Sequence, residues 1–145
     1  MEADFSNLLP ESLLVDFPEV DAQHEQVFCH IEALKTACFE NNYQPIKQME
    51  ALLAFLEYHF AAEERIAEQA GLDFSLHART HRCNLRALRK GMDEVLHDVR
   101  DVYSFLRYVE FWFERHILEY DKPFISCLQA CLPTRSVSPQ LFACL

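Results

Sequence analysis

Apolar residues recur along this chain at steps of three and four, the spacing of one face of an α-helix. Val27, Ile31, Leu34 and Cys38 form the first such stripe, from a start at Asp21, which is expected to cap the helix, to a break at Asn41, Asn42 and Pro45. The second is the most regular: Met49, Leu52, Leu56, His59, Glu63, Ile66 and Ala70, running from near Pro45 to just before Gly71. A third, from about Ser75 to His97, reads His77, His81, Leu85, Leu88, Met92 and Val95. The fourth runs from about Asp101 to Cys131 and carries Leu106, Val109, Phe113 and His116 in step. Four amphipathic helices with short links predict an all-α, antiparallel up-down-up-down four-helix bundle. Residues 1–20, with Pro10 and Pro18, read as an N-terminal arm, residues 21–131 as the bundle, and residues 132–145 as a short C-terminal tail.

Composition supports this and narrows the chemistry. At 145 residues and half hydrophobic, the chain suits one domain, and 2 glycines with 6 prolines leave long stretches without a turn former. With 13 basic against 23 acidic residues, the net charge of -10 repels a polyanion, so nucleic acid is not an expected partner. No apolar run is long enough to span a membrane and no export signal is visible, which gives a cytoplasmic expectation. The 6 cysteines lack CxxC spacing and read as reduced thiols, with Cys127 and Cys131 sharing a helix face.

The anomaly is polar residues in core phase. His59 with Glu63, and His77 with His81, are pairs four apart, so each pair shares a helix face. His24 opens the first helix in phase with its apolar stripe. At roughly 1.5 Å of rise per residue, these groups fall in one slab near the same end of an antiparallel bundle. His116 and Asp121 are five apart, which in a regular helix turns them about 140° from one another. The stripe slips there: after His116 it continues one residue late as Asp121, Ile125, Leu128 and Leu132. That slip predicts a π-type turn between His116 and Asp121. His30 and His97 leave their stripes and are expected to face solvent.

Two buried carboxylates among five imidazoles make little sense as a hydrogen-bonded core, because an unpartnered buried charge is very costly. A metal centre resolves the conflict. The donors exceed what one tetrahedral zinc uses and suit a pair of first-row ions bridged by carboxylates. Two Fe(II) ions with Glu63, Asp121 and a hydroxide would carry a small net charge.

The ordered set His24, His59-x3-Glu63, His77-x3-His81 and His116-x4-Asp121 resembles the hemerythrin family, specifically its single-domain bacterial members. The strings VDAQHEQVF, YHFAAEE and RHILEYDKPF also look like that family's. The resemblance covers residues 14–128 and implies a non-haem di-iron protein. His77, His81 and His116 would hold one iron, His24 and His59 the other, and Glu63, Asp121 and an oxo or hydroxo bridge would join them. The second iron would keep an open position for reversible O2 binding, as hydroperoxide, in an apolar pocket of Val27, Phe60, Trp112, Phe113 and Ile117. Phe113 departs from the family, which usually carries a leucine there. The implied role is carriage, storage or delivery of O2. The alternative is sensing of O2, nitric oxide or redox state, with a protein partner reading the change through the arm or tail. An oxidase or peroxidase is disfavoured, since such sites in ferritin-like bundles are richer in carboxylate.

Overall fold

The computed structural model describes residues 9–41 and 45–131. A 3-10 turn at Glu11–Leu13 precedes α1 (Pro18–Asn41), α2 (Ile46–Gln69), α3 (Ser75–Leu96) and α4 (Val102–His116). A π turn at Ile117–Asp121 then leads directly into α5 (Lys122–Cys131), so that α4, the π turn and α5 together make the fourth arm of the bundle. The C-terminal tail expected at 132–145 lies outside the described residues.

Each helix end has a local cause. Proline is suited to the first helical position because its φ is preset and its missing N–H would be unpaired there, and α1 starts on Pro18. Gly71, at φ 69°, ends α2 in the left-handed conformation while the Leu72 amide closes on the Ala67 carbonyl at 3.0 Å. The Asp73 carboxylate accepts from both the amide and the hydroxyl of Ser75, opening α3. Asp98, also left-handed at φ 58°, ends α3, with the Val99 amide on the Glu94 carbonyl. Asp101 caps α4 by accepting from the Ser104 amide at 2.9 Å.

One boundary differs from the sequence reading. Asp21 lies inside α1, and its carboxylate accepts from the amides of Val15 at 2.8 Å and Asp16 at 3.1 Å. It therefore fastens the preceding segment instead of capping the helix. That segment is fastened twice more, by the Lys122 ammonium on the Ser12 carbonyl and the Gln129 amide on the Asp16 carbonyl. Leu13 and Val15 are buried against the bundle.

α1 and α3 each pack against both α2 and α4, which closes the four helices into a ring. The core inside has two halves. Leu34, Met49, Leu52, Leu88, Val95, Phe105 and Leu106 fill one end with hydrocarbon, and the buried polar residues occupy the other. Gly91 sets the approach of α3 to α4: a Cβ added there would lie 2.5 Å from Cε1 of the buried Phe105 ring. Gly91→Ala is expected to destabilise the chain by about 1–3 kcal/mol through overpacking, despite a helix-propensity gain of about 1 kcal/mol. Urea unfolding of the two proteins measures the difference; a variant of equal or greater stability would show that the Phe105 ring yields freely.

Candidate metal centre

Seven polar side chains converge in the second half of the core. α1 supplies His24, α2 supplies His59 and Glu63 one turn apart, α3 supplies His77 and His81 one turn apart, and the fourth arm supplies His116 and Asp121. His77 is 9% exposed and the other six are 0–2% exposed. The π turn makes the last pair possible. Its closing bond runs from the Lys122 amide to the Ile117 carbonyl, five residues back, and the wider turn brings Asp121 round to the core face that His116 already occupies. The phase slip in the sequence is this turn.

Asp121 stands between two groups of histidines. Its Oδ2 is 2.9 Å from His24 Nε2, and its Oδ1 is 3.1 Å from His77 Nε2 and 3.3 Å from His116 Nε2. Glu63 is placed alike: Oε1 is 3.2 Å from His81 Nε2 and 3.5 Å from His59 Nε2. The donors form two sets, Glu63, His77, His81, His116, Asp121 and His24, His59, Glu63, Asp121, each with its ligating atoms within 4.8 Å of one another. Both sets share both carboxylates.

None of the five Nε2 atoms and none of the four carboxylate oxygens has a hydrogen-bond partner. Buried polar groups are almost always bonded, so a cluster of orphans aimed at common points is a cluster made for something else. Imidazole nitrogen and carboxylate oxygen are donors for first-row transition ions. The residues present therefore fit metal ions at two adjacent points, with Glu63 and Asp121 common to both donor sets.

In the metal-free chain the same burial distorts the proton equilibria. Desolvation, reinforced by neighbouring histidines, lowers His59 to about 3 and His81 to about 2. Burial, and then the charge of Asp121, pushes Glu63 well above the usual carboxylate range. Burial alone would raise Asp121 too, but His116, His24 and His77 outweigh it and hold that carboxyl well below its usual range. Folded, the two lowered histidines stay neutral; unfolded, they take up protons near pH 6.5. The stability that depends on their neutrality is thus complete above pH 6.5 and is lost as the pH falls toward 3. Each such proton is worth about 1.4 kcal/mol per pH unit. Glu63, raised in the folded state, works with the opposite sign above pH 4.5 and offsets part of this loss. Metal-free protein is expected to lose stability as the pH falls from 6.5 to 5, read by urea midpoints across that range. Midpoints that stay level would refute neutral burial of the histidines.

Sequence reading missed two residues that touch the cluster from behind. Gln23 is buried, and its Oε1 lies 2.7 Å from His59 Nδ1, where it accepts the ring N–H and leaves Nε2 to face the cluster. The signal was available, because position 23 is four residues before Val27 on the buried face of α1. The Asn84 amide lies 3.4 Å from His116 Nδ1, one turn along α3 from His81. Of the two histidines set aside, His97 is exposed and bonds the Asp93 carbonyl. His30 is a correction: it is half-buried against Phe55, ring centroids 5.3 Å apart, because Phe55 of α2 overhangs the edge of α1, and burial lowers its pKa. No cysteine joins either donor set among the described residues.

The five expected pocket residues surround the cluster unevenly. Val27, Phe60, Phe113 and Ile117 are buried and Trp112 is half-buried. The Phe113 ring stands edge-on to His24 at 5.3 Å and lies 6.2 Å from His59. Phe60 stacks flat on His81 at 3.8 Å and also reaches His59 at 5.8 Å. Trp112 leans on His116 at 5.7 Å, toward the three-histidine set.

No family model matches the chain. A bacteriohemerythrin of Methylococcus capsulatus is 29% identical over 119 residues, covering 76% of this chain and 86% of that protein. Helical bundle, histidine and carboxylate cluster and relative agree. The chain is thus similar to a bacteriohemerythrin, and its helical bundle with a buried histidine and carboxylate cluster fits a hemerythrin-like domain. Among the described residues, no helix is long and apolar enough to cross a membrane.

Proposed function

We propose that this chain is a hemerythrin-like domain that holds two iron ions and binds O2 reversibly, for carriage, storage or delivery and without catalytic turnover. The observation that carries the reading is the pair of donor sets that share Glu63 and Asp121, one with three histidines and the other with two. A ferrous pair supplies the two electrons that reversible O2 binding requires. His77, His81 and His116 would hold one ion, His24 and His59 the other, and Glu63 and Asp121 both. The two-histidine set has fewer protein donors, so the gas has its place on that side, beside Phe113.

The remaining residues are read by what they exclude and orient. Phe113, Val27, Phe60 and Ile117 keep water from the buried cluster, which limits loss of bound oxygen in a reduced form. Because Phe113 touches both histidines of that set, its ring governs the free volume there. Gln23 holds the His59 tautomer that leaves Nε2 unprotonated toward the ion. The same reading places the protein in the cytoplasm and away from nucleic acid, which its charge of -10 repels.

Anaerobic loading with ferrous iron, followed by cycles of oxygen and argon under a spectrophotometer, tests this. A visible absorption band that rises with oxygen and disappears under argon over several cycles is the expected outcome. A band that never reverses, or steady consumption of a reductant, would overturn reversible binding. A second reading, sensing of O2, nitric oxide or redox state, is favoured by one contact: Lys122, next to Asp121, donates to the Ser12 carbonyl of the N-terminal segment. Changed proteolysis of residues 9–17 on oxygenation would select it.

A further inference from the structure

A groove of about 460 Å³ opens where the α2–α3 link meets the π turn and α5. Leu72, Phe74, Pro123 and Phe124 line it, and Cys127 closes one side. His77 belongs to both the groove and the buried cluster. Its ring is walled by Phe74 at 4.3 Å, Phe124 at 5.5 Å and Tyr120 at 5.7 Å.

Two observations distinguish this groove from a gap between helices. Leu76 is 75% exposed and Tyr120 40% exposed on its rim, so large apolar surfaces flank a hollow of small-molecule size. Its charge has one sign. Asp73 and Glu119 line it and no lysine or arginine does among the described residues. Glu119 shares its charge with Arg115, whereas Asp73 bonds only Ser75, through Oδ1, and that bonding keeps its carboxyl ionised by lowering its pKa. Aromatic faces attract a cation as well.

We propose that the groove binds a small organic amine, its ring or alkyl body on Phe74 and Phe124 and its protonated nitrogen at Asp73. Binding of this kind needs no iron and stands apart from the oxygen reading.

Calorimetric titration of the full-length chain, with and without iron, uses three probes of one shape: 2-naphthylmethylammonium, 2-naphthalenemethanol and 2-naphthoate. The ammonium is expected to bind with Kd below about 1 mM, the alcohol about tenfold more weakly, and the carboxylate without measurable heat. Asp73→Asn retains a side chain able to cap α3 and is expected to bring the ammonium down to the alcohol's affinity. Cys127→Trp, at an exposed wall position, is expected to abolish binding of both. Unchanged melting temperatures establish that the variants fold. Absence of heat from the ammonium up to 1 mM, a carboxylate that binds as tightly, or an Asp73→Asn chain that still prefers the ammonium overturns the proposal.

Discussion

Ferrous iron added under argon to the metal-free chain is expected to raise its melting temperature by more than about 10 °C and to bind at two ions per chain. The metal-free core leaves five imidazole Nε2 atoms and four carboxylate oxygens without hydrogen-bond partners, and these are the groups that the ions would satisfy. A ligand at a hundred times its Kd stabilises the folded state by about 2.7 kcal/mol, so two sites supply about 5 kcal/mol. For a chain of this size each kcal/mol corresponds to roughly 2–4 °C or somewhat more. Calorimetric scans with and without a chelator, combined with metal analysis, measure both quantities. One ion per chain, or an unchanged melting temperature at saturation, would remove the basis of the di-iron reading.

The second large effect concerns Asp121, and it falls mainly on the iron-loaded form of the protein. Replacing a ligand shared by both sets should cost more than the 10- to 100-fold in affinity typical of a residue that only supports a ligand, so Asp121→Asn is expected to weaken iron binding by more than about 100-fold. The metal-free variant is expected to change far less, because the desolvation cost of the buried charge leaves together with its attraction to His116, His24 and His77. Urea unfolding with and without iron separates the two outcomes. His97→Ala, far from the cluster on an exposed turn, should alter neither. If Asp121→Asn destabilised the metal-free chain by several kcal/mol, the carboxylate would have to be a structural partner of the histidines in its own right.

The bundle was legible because its helices carry regular stripes, and the cluster because histidine and carboxylate stood where leucine belongs. The π turn was legible for the same reason, since a change of phase leaves its trace in the order of residues. What escaped depends on contacts between chain segments that lie far apart in sequence. Asp21 sits beside a plausible helix start and looks like a cap, but Pro18 already begins the helix and the carboxylate turns back to the amides of Val15 and Asp16. His30 leaves its own stripe, and nothing in α1 announces that Phe55 of α2 will cover it. Gln23 lay in phase but reads as an ordinary surface amide until His59 is placed against it.

On α2 and α3, hydrocarbon and metal-binding ends share one uninterrupted stripe, Leu52 and Leu56 with His59 and Glu63, then His77 and His81 with Leu88 and Val95. Gaining or losing one residue between the two ends would swivel one of them outward by about 100°. Among the described residues, the fourth arm alone has absorbed such a step, at Ile117–Asp121. An inserted or deleted residue is accordingly expected to be tolerated in the hairpin links and not in the spans between core halves, which are as strictly metered as the donors themselves.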